Sequence, residues 1–229
     1  MSRHTLEGNP PIEVILRRSA RAKRLSLRVS RLDGRVTLTL PPRAPEKEGI
    51  AFLEAREEWL RGHLGQVSPA VQVDVGQEVL VEGCMLPVLR GTTQRSALRS
   101  DQVTVPATGP VGPRVKALLR ARARDVLAQA SDTYAAEVNR SYTRMSLRDT
   151  RSRWGSCSST GVLMYSWRLI MAPPEVLQYV AAHEVSHLVE MNHSEAFWDV
   201  VARIYPRYRD CKDWLRENGD QLHRYDFGD

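Results

Sequence analysis

His183-Glu184-Val185-Ser186-His187-Leu188-Val189-Glu190-Met191-Asn192-His193 is the stretch around which the chain is organised. It reads H-E-x-x-H, with one more histidine six residues further on. On an α-helix four residues turn through about 400° and rise about 6 Å. His183 and His187 then share one face, one turn apart, a spacing at which two imidazoles can bind one ion. Glu184 projects beside that ion, where a carboxylate can take a proton from a water. His193 joins them only if the helix stops. On a straight helix it would lie about 240° around and about 9 Å along from His187. The spacing therefore predicts a helix that ends near Glu190 and a turn at Met191-Asn192, where asparagine tolerates the left-handed conformation.

The flanks support a buried helix. Pro173-Pro174 can open it, since proline suits a first helical turn. From Leu177 to Val189 almost every residue is apolar or small, the mark of a helix buried on most sides. Glu184 is the only acid in that span, and a carboxylate there needs a partner or a task. Three of the chain's six histidines fall within the opening stretch. Three neutral imidazoles leave a fourth tetrahedral position open, the pattern of a catalytic site rather than a structural one. Zinc is the first choice of ion, because it brings the pKa of a bound water down to about 7. Iron, manganese and nickel suit the same ligands.

Further stretches join this one in a resemblance. Arg153-Trp154-Gly155-Ser156-Cys157, then Pro174 to Val180, then His183 to Leu188, then Asn192-His193-Ser194 with Phe197-Trp198 together resemble the YgjP-like metallopeptidase family, itself related to the SprT-like and WSS-type zinc peptidases. The basic Arg17 to Arg24 segment before Leu25-Ser26-Leu27-Arg28-Val29, and Trp59, resemble it too. The match covers most of the chain and is weakest between about Gly65 and Pro113. The resemblance implies a small zincin fold, with His183, His187 and His193 as zinc ligands and Glu184 as catalytic acid and base. The histidine spacing also equals that of metzincins, but Glu190 stands where those have glycine, so the turn to His193 must be made differently.

Outward from this centre, the elements alternate in type. Ile12 to Arg17, Leu25 to Val29 and Val36 to Leu40 read as strands, with the turn signal Asp33-Gly34 between the last two. Pro45 to Leu64 reads as one helix with Ile50, Leu53, Trp59, Leu60 and Leu64 on its inner side. Gly65 to Gly76 reads as a loop. Short strands follow at Glu78 to Val81, Leu86 to Leu89, Ser96 to Arg99 and Gln102 to Val105, with Gly83 and Gly91 at turns. Ala107 to Pro113 is the linker candidate. A long helix runs from Arg114 to about Asn139. A hairpin comes next, with Met145 to Arg148 as a first strand, a turn at Ser158 to Gly161 and a strand from Val162 to Arg168. Helices from Ser194, a suitable N-cap, to Ile204 and from Arg207 to Asn218 close the chain. The expected class is α+β: a β-rich part with one helix over 1–106, a linker over 107–113, and a zincin-like metal-binding catalytic domain over 114–229.

In zincins an edge strand beside the metal helix pairs with an extended peptide substrate. Val162 to Trp167 is the candidate, by strand addition, or is a plain sheet strand. The candidate substrate contacts are Val162, Met164, Tyr165 and Trp167, with Arg153 nearby. Arg153, Tyr165, Tyr205 and Tyr208 are candidate donors to a developing oxyanion. Cys157 has no histidine near it in sequence and reads as a packed thiol rather than a nucleophile.

Composition bounds the rest. The chain has 229 residues and a net charge of +6. Its three cysteines, Cys84, Cys157 and Cys211, have no close spacing, which argues against a disulfide framework. No apolar run approaches the ~20 residues of a membrane span, and the first residues lack the apolar core of a secretory signal. The expected location is the cytoplasm, with no membrane partner. Arg17, Arg18, Arg21, Lys23, Arg24, Arg28, Arg31 and Arg35 crowd one segment, and Arg114, Lys116, Arg120, Arg122 and Arg124 another. They are solvated faces or contacts for an anionic partner: nucleic acid, nucleotide or acidic peptide. Three functions follow: a zinc peptidase acting on a polypeptide, a metal-dependent nucleoside triphosphate pyrophosphatase or phosphohydrolase, and a nucleic-acid-associated metalloprotein acting on bound proteins. No G-x-x-x-x-G-K-[ST] loop supports a P-loop enzyme.

Overall fold

The computed structural model describes residues 2–30, 33–65 and 69–228. Arg31 of the first basic segment, and residues 66–68 of the expected loop, lie outside them. The chain forms two compact units, Met1–Ala70 and Val71–Asp229.

The first unit is a sheet with helices on one face. Strands β1 (Ser2–Leu6), β2 (Ile12–Arg18), β3 (Ser26–Val29) and β4 (Val36–Leu40) lie in the order β1-β2-β4-β3. β2 and β4 run parallel, and the other two pairs are antiparallel. Period-two patterning predicts β2, β3 and β4. It misses β1, whose Ser2-Arg3-His4-Thr5-Leu6 carries too few apolar residues to show a period and becomes a strand by pairing with β2. The single helix expected from Pro45 to Leu64 is two, α1 (Glu46–Glu54) and α2 (Glu57–Leu64). Arg56 breaks it: its N–H donates to Leu53 O, only three residues back, and its φ of −118° leaves the helical region. Leu53 and Leu60 are buried with Val14, Leu16, Val36, Leu38 and Leu40 in this unit's own core. Trp59, expected on that side, is 39% exposed and lies against His63 instead.

The second unit begins well before the expected linker. It contains β5 (Val71–Gln72), β6 (Glu78–Val81), β7 (Cys84–Gly91), β8 (Ala97–Leu98), β9 (Val103–Pro106), α3 (Gly112–Glu137), β10 (Arg144–Arg148), β11 (Gly155–Cys157), β12 (Val162–Ser166), α4 (Pro174–Ser186), α5 (Glu195–Ile204), α6 (Tyr208–Asn218) and β13 (Tyr225–Asp226). The boundary expected at 107–113 falls inside this unit. The strands up to Pro106 bury Val79, Val81, Val88, Val103 and Val105 in the same core as Val115, Leu119 and Leu127 of α3. The turn between β6 and β7 ties them to the 3₁₀ turn Trp167–Met171 that leads into α4. Glu82 N–H donates to Ile170 O and Gly83 N–H to Met171 O. Gly83 has φ +82°, and a Cβ there would lie 3.0 Å from Pro173 Cα, just before α4.

Three strands hold the sheet beside α4, in the order β10-β12-β11. The expected hairpin is there, but its first strand is β11 rather than β10. β10 instead pairs parallel to β12 on the far side. Gly155-Ser156-Cys157 was invisible as a strand because it is short and holds no β-branched or aromatic residue. Helix α3 packs across this sheet, and Ser131 in its middle hydrogen-bonds the Tyr165 hydroxyl at 3.0 Å. Among the described residues no helix is long and apolar enough to cross a membrane.

Candidate metal centre

Helix α4 is buried along most of its length, through Val176, Leu177, Val180, Ala181, Ala182, Val185 and Ser186. That fixes its rotation about its own axis and so aims His183, Glu184 and His187. The helix ends sooner than the sequence predicts, with His187 as its cap. The next amides tighten to three-residue bonds: Leu188 N–H donates to Val185 O and Val189 N–H to Ser186 O. Asn192 is not left-handed, since the positive-φ residues other than glycine are Glu82 and Asn139 among the described residues. The reversal is completed by Ser194 N–H donating to Asn192 O at 2.8 Å, a tight turn centred on His193. Ser194 is the N-cap of α5 but makes no side-chain cap bond.

This backbone path brings the three histidines together. One ring nitrogen from each of His183, His187 and His193 lies within 4.8 Å of the others. The Nε2 atoms of His183 and His193 are 3.1 Å apart. Two ligands at the usual zinc–nitrogen length of about 2.0–2.1 Å stand about 3.3 Å apart in an ideal tetrahedron, so the spacing suits a shared ion. The tautomer of His187 suits it as well. His187 Nδ1 donates to Glu190 O at 3.1 Å, which leaves Nε2 unprotonated and free to ligate. Burial, followed by the His187 and His193 rings and Lys212, pushes His183 down to about 3, so it is a neutral imidazole. These residues fit a divalent transition metal.

Phe197 of α5 is the packing centre of the triad, a role the sequence reading did not give it. Its ring centroid is 4.9 Å from His183, 4.5 Å and stacked on His187, and 4.8 Å from His193, and it is fully buried. Trp198 lies 5.7 Å from His183 and 5.9 Å from His193, with Tyr208 stacked behind it and Lys212 Nζ 4.4 Å over its ring. In the sequence, Phe197-Trp198 stood out through their place in the family resemblance and their nearness to His193. Phe197→Ala is expected to destabilise the second unit by ~3–5 kcal/mol through the cavity left. It also frees all three rings, so metal stoichiometry after dialysis should drop. Melting curves and elemental analysis of the same preparation check both.

Glu184 is 6% exposed and faces the edge strand β11. A Cβ on Gly155 would lie 2.5 Å from Glu184 Oε1 and 2.6 Å from its Cγ, so the carboxylate occupies the space that glycine leaves. Burial pushes Glu184 up to about 8, and the Arg153 guanidinium opposes that shift. Arg153 thus reaches the site electrostatically from an exposed position. Burial and then the Glu184 charge push the Cys157 thiol up to about 11, so it stays protonated and is no nucleophile.

The remaining substrate candidates are corrected. β12 is the central strand, hydrogen-bonded to β10 on one side and β11 on the other, so it has no free edge for a peptide. Val162 and Met164 are half-buried within it, and Tyr165 is fully buried. Trp167 lies beyond its end, in the 3₁₀ turn Trp167–Met171, fully buried against Phe227. The edge strand of this sheet beside Glu184 is β11. Of the oxyanion donors, Tyr165 is committed to Ser131 and Tyr205 donates to Glu175 O at 2.8 Å. Arg153 and Tyr208 remain.

Comparison with known proteins adds an independent finding. Residues 23–218 match the family described as "YgjP-like, metallopeptidase domain". No curated protein matches the chain. Among solved structures, the metallopeptidase zymogen abylysin of Pyrococcus abyssi is similar, with 21% identity and a TM-score of 0.35, over 42% of this chain and 92% of that one.

Proposed function

Because the chain belongs to the YgjP-like metallopeptidase family, hydrolases that work with a divalent metal, we propose that it is a zinc-dependent peptidase with Glu184 as its general base. The observation that carries this reading is the convergence of three histidine ring nitrogens, two of them from the end of the helix that also carries the buried Glu184 carboxyl. His183, His187 and His193 would hold the ion. Bound there, zinc acidifies a water and polarises the carbonyl under attack.

The chain's own groups do the rest. The free side of β11, next to Glu184, offers backbone donors and acceptors for an extended peptide, in the manner of strand addition. Such pairing holds the scissile carbonyl still beside Glu184, and positioning of this kind is worth several orders of magnitude in rate. In its ionised form, whose share grows as the pH rises towards about 8, Glu184 takes one proton from the attacking water as the water oxygen bonds the carbonyl carbon. It then passes that proton to the amide nitrogen as the C–N bond breaks. Arg153, exposed and felt electrostatically by Glu184, would donate to the developing oxyanion.

The test is direct. Purified protein should contain about one zinc per chain and cleave an unfolded polypeptide, with activity lost to a chelator and restored by zinc. The same preparation is offered nucleoside triphosphates. Pyrophosphate release without peptide cleavage would replace this reading with the phosphohydrolase one.

A further inference from the structure

Residues 1–70 hold 13 of the chain's 33 Lys and Arg but 8 of its 27 Asp and Glu, which places +5 of the net +6 in the first unit. The register shows where that charge faces. Val14, Leu16, Val36, Leu38 and Leu40 alternate inward to the helices. The residues between them face outward, and one row crosses all four strands as Arg3, Ile15, Thr37 and Arg28. The next row carries Arg17, Thr39 and Ser26. Beyond it, the connection from β2 to β3 adds Arg21, Lys23 and Arg24, all exposed. Glu13 also lies on this face and pairs with Arg3 at 3.5 Å. Arg17, Arg21, Lys23, Arg24 and Arg28 make no ion pair among the described residues.

We propose that this open sheet face binds duplex nucleic acid through its phosphate backbones, without reading sequence. Arg17, Arg21, Lys23, Arg24 and Arg28 are exposed and make no ion pair among the described residues, so counterion release can drive association. Hydroxyls of Thr37, Thr39 and Ser26 lie between them and suit phosphate oxygens. Arg3 and Arg28 stand three strand spacings apart, about 14 Å, close to the ~12 Å that separates the backbones across a major groove. The outward rows contain no aromatic ring, and single strands are held by stacking on such rings. That favours a duplex over a single strand, and fixed rows of charge on a rigid sheet favour it over a fluid anionic surface.

The full chain is titrated into a labelled DNA duplex of about 20 base pairs, at about 50 to 200 mM salt. Binding at low salt, falling steeply with salt, is expected. The variant R17A/K23A/R28A should bind at least tenfold more weakly, with a salt slope smaller by about 2–3. R99A/R120A/R124A removes the same charge from exposed positions of the second unit and should bind like the parent. Equal melting temperatures certify that both variants fold. The proposal is overturned if the duplex does not bind at low salt, if both variants weaken binding alike, or if a single strand or phosphatidylserine vesicles bind more tightly than the duplex.

Discussion

Glu184→Gln is expected to lower peptide hydrolysis by about 10²–10⁴-fold in kcat/KM, the usual contribution of a positioned acid–base group, while zinc content stays at the parental level. Gln has the shape of Glu, so it fits the space that Gly155 leaves beside α4. It cannot take a proton at neutral pH. The three histidines do not depend on that carboxylate for orientation. His187 is held through its Nδ1 bond to Glu190 O, and all three rings pack on Phe197. Loss of rate should therefore separate from loss of metal. Glu184→Gln should also melt no lower than the parent, because it removes a buried carboxylate that burial already disfavours as a charge. Hydrolysis at the parental rate would mean that some other group moves the proton.

The centre was legible in the sequence to an uneven degree. The pair His183 and His187 follows from helical spacing alone, and burial of α4 from its run of apolar and small residues. Helix geometry made His193 legible only as a conditional, a ligand if the helix stopped, and the family resemblance supplied it as the third ligand. The mechanism of the stop was not readable, because it is made by backbone bonds, Leu188 N–H to Val185 O and Ser194 N–H to Asn192 O, rather than by glycine or a left-handed asparagine. The sheet was misread for a related reason. Val162 to Ser166 looks like a strand because its own residues say so, whereas whether a strand is an edge or a centre depends on what pairs with it. β10 and β11 flank β12 from opposite sides, and β11 carries no local strand signal. The same holds for β1, and for β5 and β13, two-residue strands that pair across the length of the unit. The domain boundary slipped because a Gly- and Pro-rich run at Ala107 to Pro113 marks a turn as readily as a linker. Only packing shows that Val103 and Val105 share a core with α3.

Gly155→Ala should be nearly as damaging to activity as loss of the carboxylate, by a different route. The added methyl would stand 2.5 Å from Glu184 Oε1, 2.6 Å from Cγ and 2.7 Å from Cδ. Contacts that short cannot persist, and the clash involves the stem of the side chain as well as its tip, so a small rotation does not relieve it. β11 resists moving because Gly155 pairs with Tyr165, itself fully buried and bonded to Ser131. The carboxylate must leave its position. Misplacing a catalytic group by about 1 Å costs roughly 10²-fold in rate, and overpacking costs about 1–3 kcal/mol in stability. Zinc content should be unaffected. The two residues are coupled through one clash, and their effects are not additive. In a Glu184→Ala background the methyl meets empty space, so Gly155→Ala should then cost little stability. Thermal melts of the two single variants and the double variant measure that coupling. If Gly155→Ala destabilises both backgrounds equally, the glycine serves the strand itself, and the carboxylate is not what fills its place.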